Sequence, residues 1–173
     1  MIRRQKWICG VGLLMLILSL MVALYFDWSF ERTIQSFSTN AKTCVMNGYA
    51  TIMLAENELQ NGHKAGASSI AHEGIGWLEG GGAGLYVVGI RGVEGMSMVL
   101  DRAISSQFGP VPGGTTKSTE EHYQHIIQVF LDSFKPLSKM GYAEIGNQQL
   151  QKAIDQVYQA MTPEERQLYS GGM

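Results

Sequence analysis

The residues best able to do chemistry in this 173-residue chain are four histidines, His63, His72, His122 and His125, and two cysteines, Cys9 and Cys44. His122 and His125 stand three apart beside Glu121, close enough on a helix for two imidazoles to share a metal ion. The stronger pattern, H-E-x-x-H with its i,i+4 pair, is absent, and an ordinary half-exposed first helical turn explains the same residues. His72-Glu73 could be an acid–base pair, but neighbours on a helix point in different directions. No G-x-S-x-G occurs. Gly80-Gly81-Gly82-Ala83-Gly84 has the glycine content of a phosphate-cradling loop, yet no Lys-Ser/Thr follows it and no strand pattern precedes it. These residues predict no catalytic group, no cofactor and no metal. A small periplasmic hydrolase or metal protein using His72, Glu73, His122 and His125 stays as the enzymatic alternative.

Charged residues make up 16% of the chain, below the roughly 25% of an average soluble domain. The net charge is -2, and no concentrated basic face exists to neutralise phosphates, which argues against nucleic acid. The 21 glycines cluster in the middle of the chain.

The element that decides location is the segment from Trp7 to Phe26, 20 consecutive residues without a charge. At a rise of about 1.5 Å per residue it makes a rod of about 30 Å, the hydrocarbon thickness of a bilayer. Arg3, Arg4 and Lys6 precede it, and Asp27 and Glu31 follow it. That asymmetry predicts a cytoplasmic N-terminus, with the remainder on the extracytoplasmic face of the inner membrane. Trp7, Tyr25, Phe26 and Trp28 sit where an aromatic belt would lie. A cleaved signal peptide has a shorter apolar core and small residues before the cut. Here the core runs into Tyr25-Phe26-Asp27-Trp28, so the reading is an uncleaved single-pass anchor. With Cys9 inside that anchor, Cys44 has no partner in its own chain, which leaves a buried thiol or an interchain bridge.

The rest reads as all-α. Asp27 to Asn61 continue as one helix, with Ile34, Phe37, Ala41, Cys44, Gly48, Ile52, Ala55 and Leu59 in a seam of heptad type. Gln35, Lys42, Asn47, Glu56 and Asn57 lie between them. The seam packs on its own domain or on a second copy, and Gly48 and the alanines favour the first. Asn61-Gly62 is a helix stop. Beyond it, Gly76, Gly80 and Gly84 form two overlapping G-x-x-x-G steps, a smooth groove for close helix approach. The uncharged run Gly80–Ile90 is 11 residues, too short to span a bilayer. Extending it back to Gly74 takes in Glu79, which is costly in lipid. After Gly84 the pattern predicts an amphipathic helix with Tyr86, Ile90, Val93, Ser97, Leu100 and Ile104 on one face.

Gly109-Pro110-Val111-Pro112-Gly113-Gly114 is a break. Ser118-x-x-Glu121 is a capping box, opening a helix with Tyr123, Ile126, Ile127, Phe130, Leu131 and Phe134 inward and Pro136 at its close. A helix over Asn147–Ala160 turns Leu150, Ile154, Val157 and Met161 inward. Thr162-Pro163-Glu164-Glu165 starts a last short helix.

The resulting organisation is a cytoplasmic N-terminus (1–6), a transmembrane anchor (7–26), a juxtamembrane helix (27–62), a glycine-rich helical region (63–109), a linker (110–119) and a C-terminal helical region (120–173). It predicts a membrane-anchored, non-catalytic interaction protein, a subunit, adaptor or inhibitor, with the membrane and a protein partner (possibly a second copy) as its contacts. Bacterial secretion, conjugation and toxin-immunity systems use many chains of this shape. The alternative from another class is a membrane-active or channel-forming protein assembled through the glycine-rich helix.

Overall fold

A computed structural model describes residues 2–108 and 117–170, with side chains described for 15–108 and 118–167. The expected break at 109–114 and the end at 171–172 lie outside the described residues. Every element within them is helical: α1 (Ile2–Gln60), α2 (Lys64–Val87), α3 (Val93–Phe108), α4 (Lys117–Phe134), α5 (Asn147–Ala160) and α6 (Pro163–Ser170), with a 3₁₀ turn at Leu137–Lys139. The chain divides into two units, Met1–Phe37 and Ser38–Met173.

In the first unit, Met15 to Phe26 form an apolar stretch of α1 whose large hydrophobic side chains are 47% to 67% exposed. No helix among the described residues is long and apolar enough to cross a membrane. The expected span is covered only in part, because Trp7 to Leu14 lie outside the described side chains.

The second unit is built on a helical hairpin. α1 ends at Asn61-Gly62 as expected. Gly62 takes φ +86°, its N–H donates to Leu59 O, and His63 N–H donates to Glu58 O. This paired closure of a helix end needs a left-handed residue, which glycine supplies without a Cβ penalty. α2 then runs back antiparallel against α1 at very short range. A Cβ on Gly74 would lie 2.7 Å from Ile52 Cγ1, one on Gly81 would lie 2.9 Å from Ala41 O, and one on Gly48 would lie 2.8 Å from the Leu78 side chain. Knobs therefore sit opposite glycine holes, Ile52 on Gly74, Leu78 on Gly48 and Val45 on Gly81.

The seam of α1 is thus shifted from the expected one. Ala41, Gly48, Ile52 and Ala55 are buried as expected, but Val45 takes the place of Cys44, which is half-buried, and Phe37 is exposed. The groove Gly76-x-x-x-Gly80-x-x-x-Gly84 is not the face that packs on α1. Gly76 and Gly80 are exposed with open space where a Cβ would be, and of the three only Gly84 is buried. The glycines seven apart, Gly74 and Gly81, make the contact because they flank Leu78, the side chain that fills the gap above Gly48.

A second correction concerns the helix after Gly84, which is not continuous. α2 stops at Val87, where Gly89 (φ +81°) and the pair Gly89 N–H to Tyr86 O and Ile90 N–H to Leu85 O repeat the closure seen at Gly62. Tyr86, expected inward, is 61% exposed. Val93, Ser97, Leu100 and Ile104 are buried on α3 as expected.

α4 begins at Lys117 rather than after a Ser118 cap, so Ser118 lies in its first turn. Its inward residues are the expected ones, with Leu131 only partly buried. Tyr49 of α1 stacks on Phe134 at 6.3 Å and 21°, and Phe130 lies 4.7 Å from Phe134. α5 has the expected bounds, and Leu150, Ile154, Val157 and Met161 are all buried.

Glycines at closed and open positions should respond oppositely to the same methyl group. Gly80→Ala should raise stability by about 1 kcal/mol through helix propensity alone, a gain of about 3 °C in Tm. Gly81→Ala should lose about 1–3 kcal/mol to overpacking against Ala41 and Val45. Thermal unfolding of the two variants measures both signs.

Candidate functional site

A group of polar side chains gathers where α3, α4 and α6 meet. Arg102, Ser118, Thr119, His122, Thr162 and Glu165 line an open cavity of about 440 Å³ there. Glu165 is buried. Its carboxylate accepts from His122 Nε2–H at 2.9 and 3.1 Å and from Thr162 N–H at 2.8 Å. Glu165 N–H donates in turn to Thr162 Oγ1 at 3.2 Å. Thr162 and Glu165 thus form a reciprocal cap at the start of α6, as the sequence led us to expect of Thr162 and Pro163. The addition is His122, 43 residues earlier in the chain, which ties that cap to α4. A carboxylate so engaged holds the imidazole in one orientation, and it closes the helix end at the same time.

The other histidines are not brought to this place. His125 is exposed on α4. His72 donates from Nδ1 to Ser68 O at 2.8 Å, and its Nε2 lies 3.8 Å from Asp101 of α3 rather than near Glu73. His63 pairs with Glu58 at 2.8 Å at the end of α1. Among the described residues no three metal-ligating side chains come together. Cys44 is free and half-buried.

Three polar links escape sequence reading altogether. Lys42, expected between the apolar positions of α1, is buried. Its Nζ donates to Ile145 O at 2.8 Å across 103 residues, and burial holds its pKa below the ordinary lysine value. The Gln151 amide clamps the backbone of Arg91, accepting from its N–H at 3.0 Å and donating to its O at 3.2 Å. That clamp fixes the turn between α2 and α3 on α5, where Gly92 (φ +89°) leaves room for Ile154. Glu56, also expected on the outside of the seam, accepts a hydrogen bond from Gln107 near the end of α3, and burial raises its carboxyl pKa above the ordinary value. Gln107 Oε1 is buried without a partner. No local pattern announces any of these three, because each partner lies in a distant element.

The chain matches no family model, no curated protein and no solved structure.

Removing the imidazole tests how the α6 cap is held. His122→Ala removes the imidazole from the Glu165 carboxylate and should cost about 1–3 kcal/mol. Faster amide exchange confined to α6 and the first turn of α4, measured in the full chain, is the expected signature.

Proposed function

We propose that the chain is a membrane-anchored, non-catalytic interaction protein, held by the N-terminal part of α1 with residues 27–173 on the extracytoplasmic face. The observation that carries this reading is the character of Met15 to Leu18. Four consecutive helical residues at 100° steps cover the whole circumference of the helix, and all four are apolar and at least half exposed. A helix that is hydrophobic all round needs an apolar surrounding on every side, which lipid provides and a one-sided groove does not. The Ser19 hydroxyl donates back to Leu16 O at 2.9 Å, which leaves no unpaired donor in the stretch at that point. At its far end the stretch carries Tyr25, Phe26 and Trp28, with the Arg32 guanidinium 5.4 Å from the Trp28 ring, an arrangement suited to the headgroup layer.

The interaction role is supported by how the reactive side chains are engaged, since Glu165, His122 and Lys42 are all bonded between elements. It is tested by purification of the full chain in mild detergent. A stoichiometric second protein or a second copy is the expected result, and repeated recovery of monomer overturns the role. For the anchor, the full-length chain should resist alkaline extraction from membranes, and Cys44 should react with an impermeant thiol reagent in intact cells. Recovery in a high-salt soluble fraction removes the anchor.

A membrane-active assembly is the second reading, favoured by the outward position of Gly76 and Gly80, which nothing among the described residues requires to be glycine. Gly80→Leu enters open space in the monomer. On this reading it should abolish both self-association and any depolarisation caused by overexpression, with the fold intact.

A further inference from the structure

Three links gather one end of the second unit. A Cβ on Gly81 of α2 would lie 2.9 Å from Ala41 O, so the end of α2 stands beside Ser38–Lys42, where the chain enters this unit. Lys42 Nζ donates to Ile145 O at 2.8 Å, which pins the connection 135–146 to the same place. Gln151 of α5 grips the backbone of Arg91. The entry end is therefore built from the last turn of α2, the connections 88–92 and 135–146, and the start of α5. The exposed tyrosines are here too. Among the described Phe, Tyr and Trp residues of this unit, Tyr86 (61%) and Tyr142 (44%) are the most exposed, and Val87 beside Tyr86 is 60% exposed.

The charges at this end suit an anionic surface. The two connections carry Arg91, Lys135 and Lys139, all exposed, against Glu144. The Arg91 guanidinium lies 5.6 Å from the Tyr86 ring, so cation and ring are presented together. Nearby acids are turned back on the protein. Glu144 accepts from Gly141 N–H at 3.2 Å, Asp155 accepts from the Gln151 amide at 2.9 Å, and Glu94 lies against Gly82. The opposite end surrounds the cavity of about 250 Å³ lined by Leu59, Lys64 and Glu120, and it carries Glu58 and Glu121 as well.

We propose that the entry end of the second unit is a further lipid-contacting surface, which lays Tyr86, Val87 and Tyr142 in the headgroup layer of an anionic bilayer with Arg91, Lys135 and Lys139 on lipid phosphates. Tyrosine is a residue of that layer because its ring is apolar and its hydroxyl is wet, and lysine and arginine beside it are drawn to anionic headgroups. The inference rests on the anchor proposed above. The apolar stretch ends at Phe26 and this unit begins at Ser38. The residues between them reach at most about 40 Å when fully extended. That tether selects the occupant, since the bilayer is the partner that the anchor keeps within reach of every copy. At so high an effective concentration a weak contact suffices.

The experiment uses the full chain in lipid discs doped with a gadolinium-chelating headgroup lipid, one set of phosphatidylcholine and one with phosphatidylglycerol added. Amide signals of Tyr86–Gly92 and Gly141–Ile145 should broaden far more in the anionic discs than in the neutral ones, while those of Lys64 and Thr162 should change little. High salt should remove the difference. Arg91→Gln and Lys139→Gln should each lower the ratio of docked to undocked chain about fivefold, the effect of one cation near an anionic surface. Tyr86→Ser should lower it too, and undisturbed signals from Phe130 and Phe134 show that each variant is folded. Equal broadening in both lipids, or broadening indifferent to Arg91→Gln and Lys139→Gln, overturns the docking surface and leaves the anchor standing. Failure of the natural chain to enter discs of either composition removes the anchor, and the docking surface with it.

Discussion

The close approach of α1 and α2 is the constraint on which the second unit depends. Gly48, Gly74 and Gly81 let two backbones meet at a distance where a single methyl group would strike main-chain atoms. Each glycine costs about 1 kcal/mol of helix propensity relative to alanine. The return is packing: Ile52, Leu78 and Val45 each fill the hole facing them, and all three are essentially inaccessible. With α1 and α2 this near, α2 uses its next face on α3, where Gly82 admits the Glu94 side chain. α1 meanwhile offers Tyr49 to Phe130 and Phe134. The aromatic centre of the core is reached only because the hairpin behind it is thin.

Glycine does three different things between Gly48 and Gly92. At Gly48, Gly74, Gly81 and Gly82 it makes room. At Gly62, Gly89 and Gly92 it supplies a positive φ. At Gly76 and Gly80 no described residue comes near enough to give it a task. Sequence alone separates these roles only where a neighbour helps. Asn61-Gly62 reads as a stop because a periodic helix ends there, whereas Gly89 is hidden in a run of similar residues. The G-x-x-x-G spacing and the seven-residue spacing coexist in α2, and periodicity cannot choose between them. The choice is made by Val45 and Ile52 on the partner helix, far away in the chain.

Where apolar residues recur with large side chains, the sequence is far more informative. α5 has the expected bounds and inward face, and α4 buries the expected row, because Leu, Ile, Phe and Val at helical spacing admit only one way of facing a core. Thr162-Pro163 is legible because a cap is a local arrangement. The polar links were not. His122 to Glu165, Lys42 to Ile145 and Gln151 to Arg91 span 43, 103 and 60 residues, and nothing within a turn of either partner predicts the other. Lys42 and Glu56 look like solvated positions beside a seam, and the shift of that seam by one residue at Val45 is part of why they are not.

The two units differ in how they treat the same kinds of side chain. In Ser38–Met173, Leu78, Leu85, Leu100 and Leu150 are wholly inaccessible, whereas Leu16, Leu18, Leu20 and Leu24 are all more than half exposed. Burying a side chain of this size is worth roughly 1.5–3 kcal/mol, so a run of ten such residues left in water would forgo a sum larger than the net stability of most domains. The second unit shows that this chain buries such side chains where it builds a core of its own. The exposure is therefore best understood as a surface meant for an apolar medium, which is why a lipid surrounding is proposed. The buried Lys42 and Glu165 carry the complementary lesson: where this chain takes charge out of water, it hydrogen-bonds that charge to a different helix or loop, so the polar interior serves to join elements.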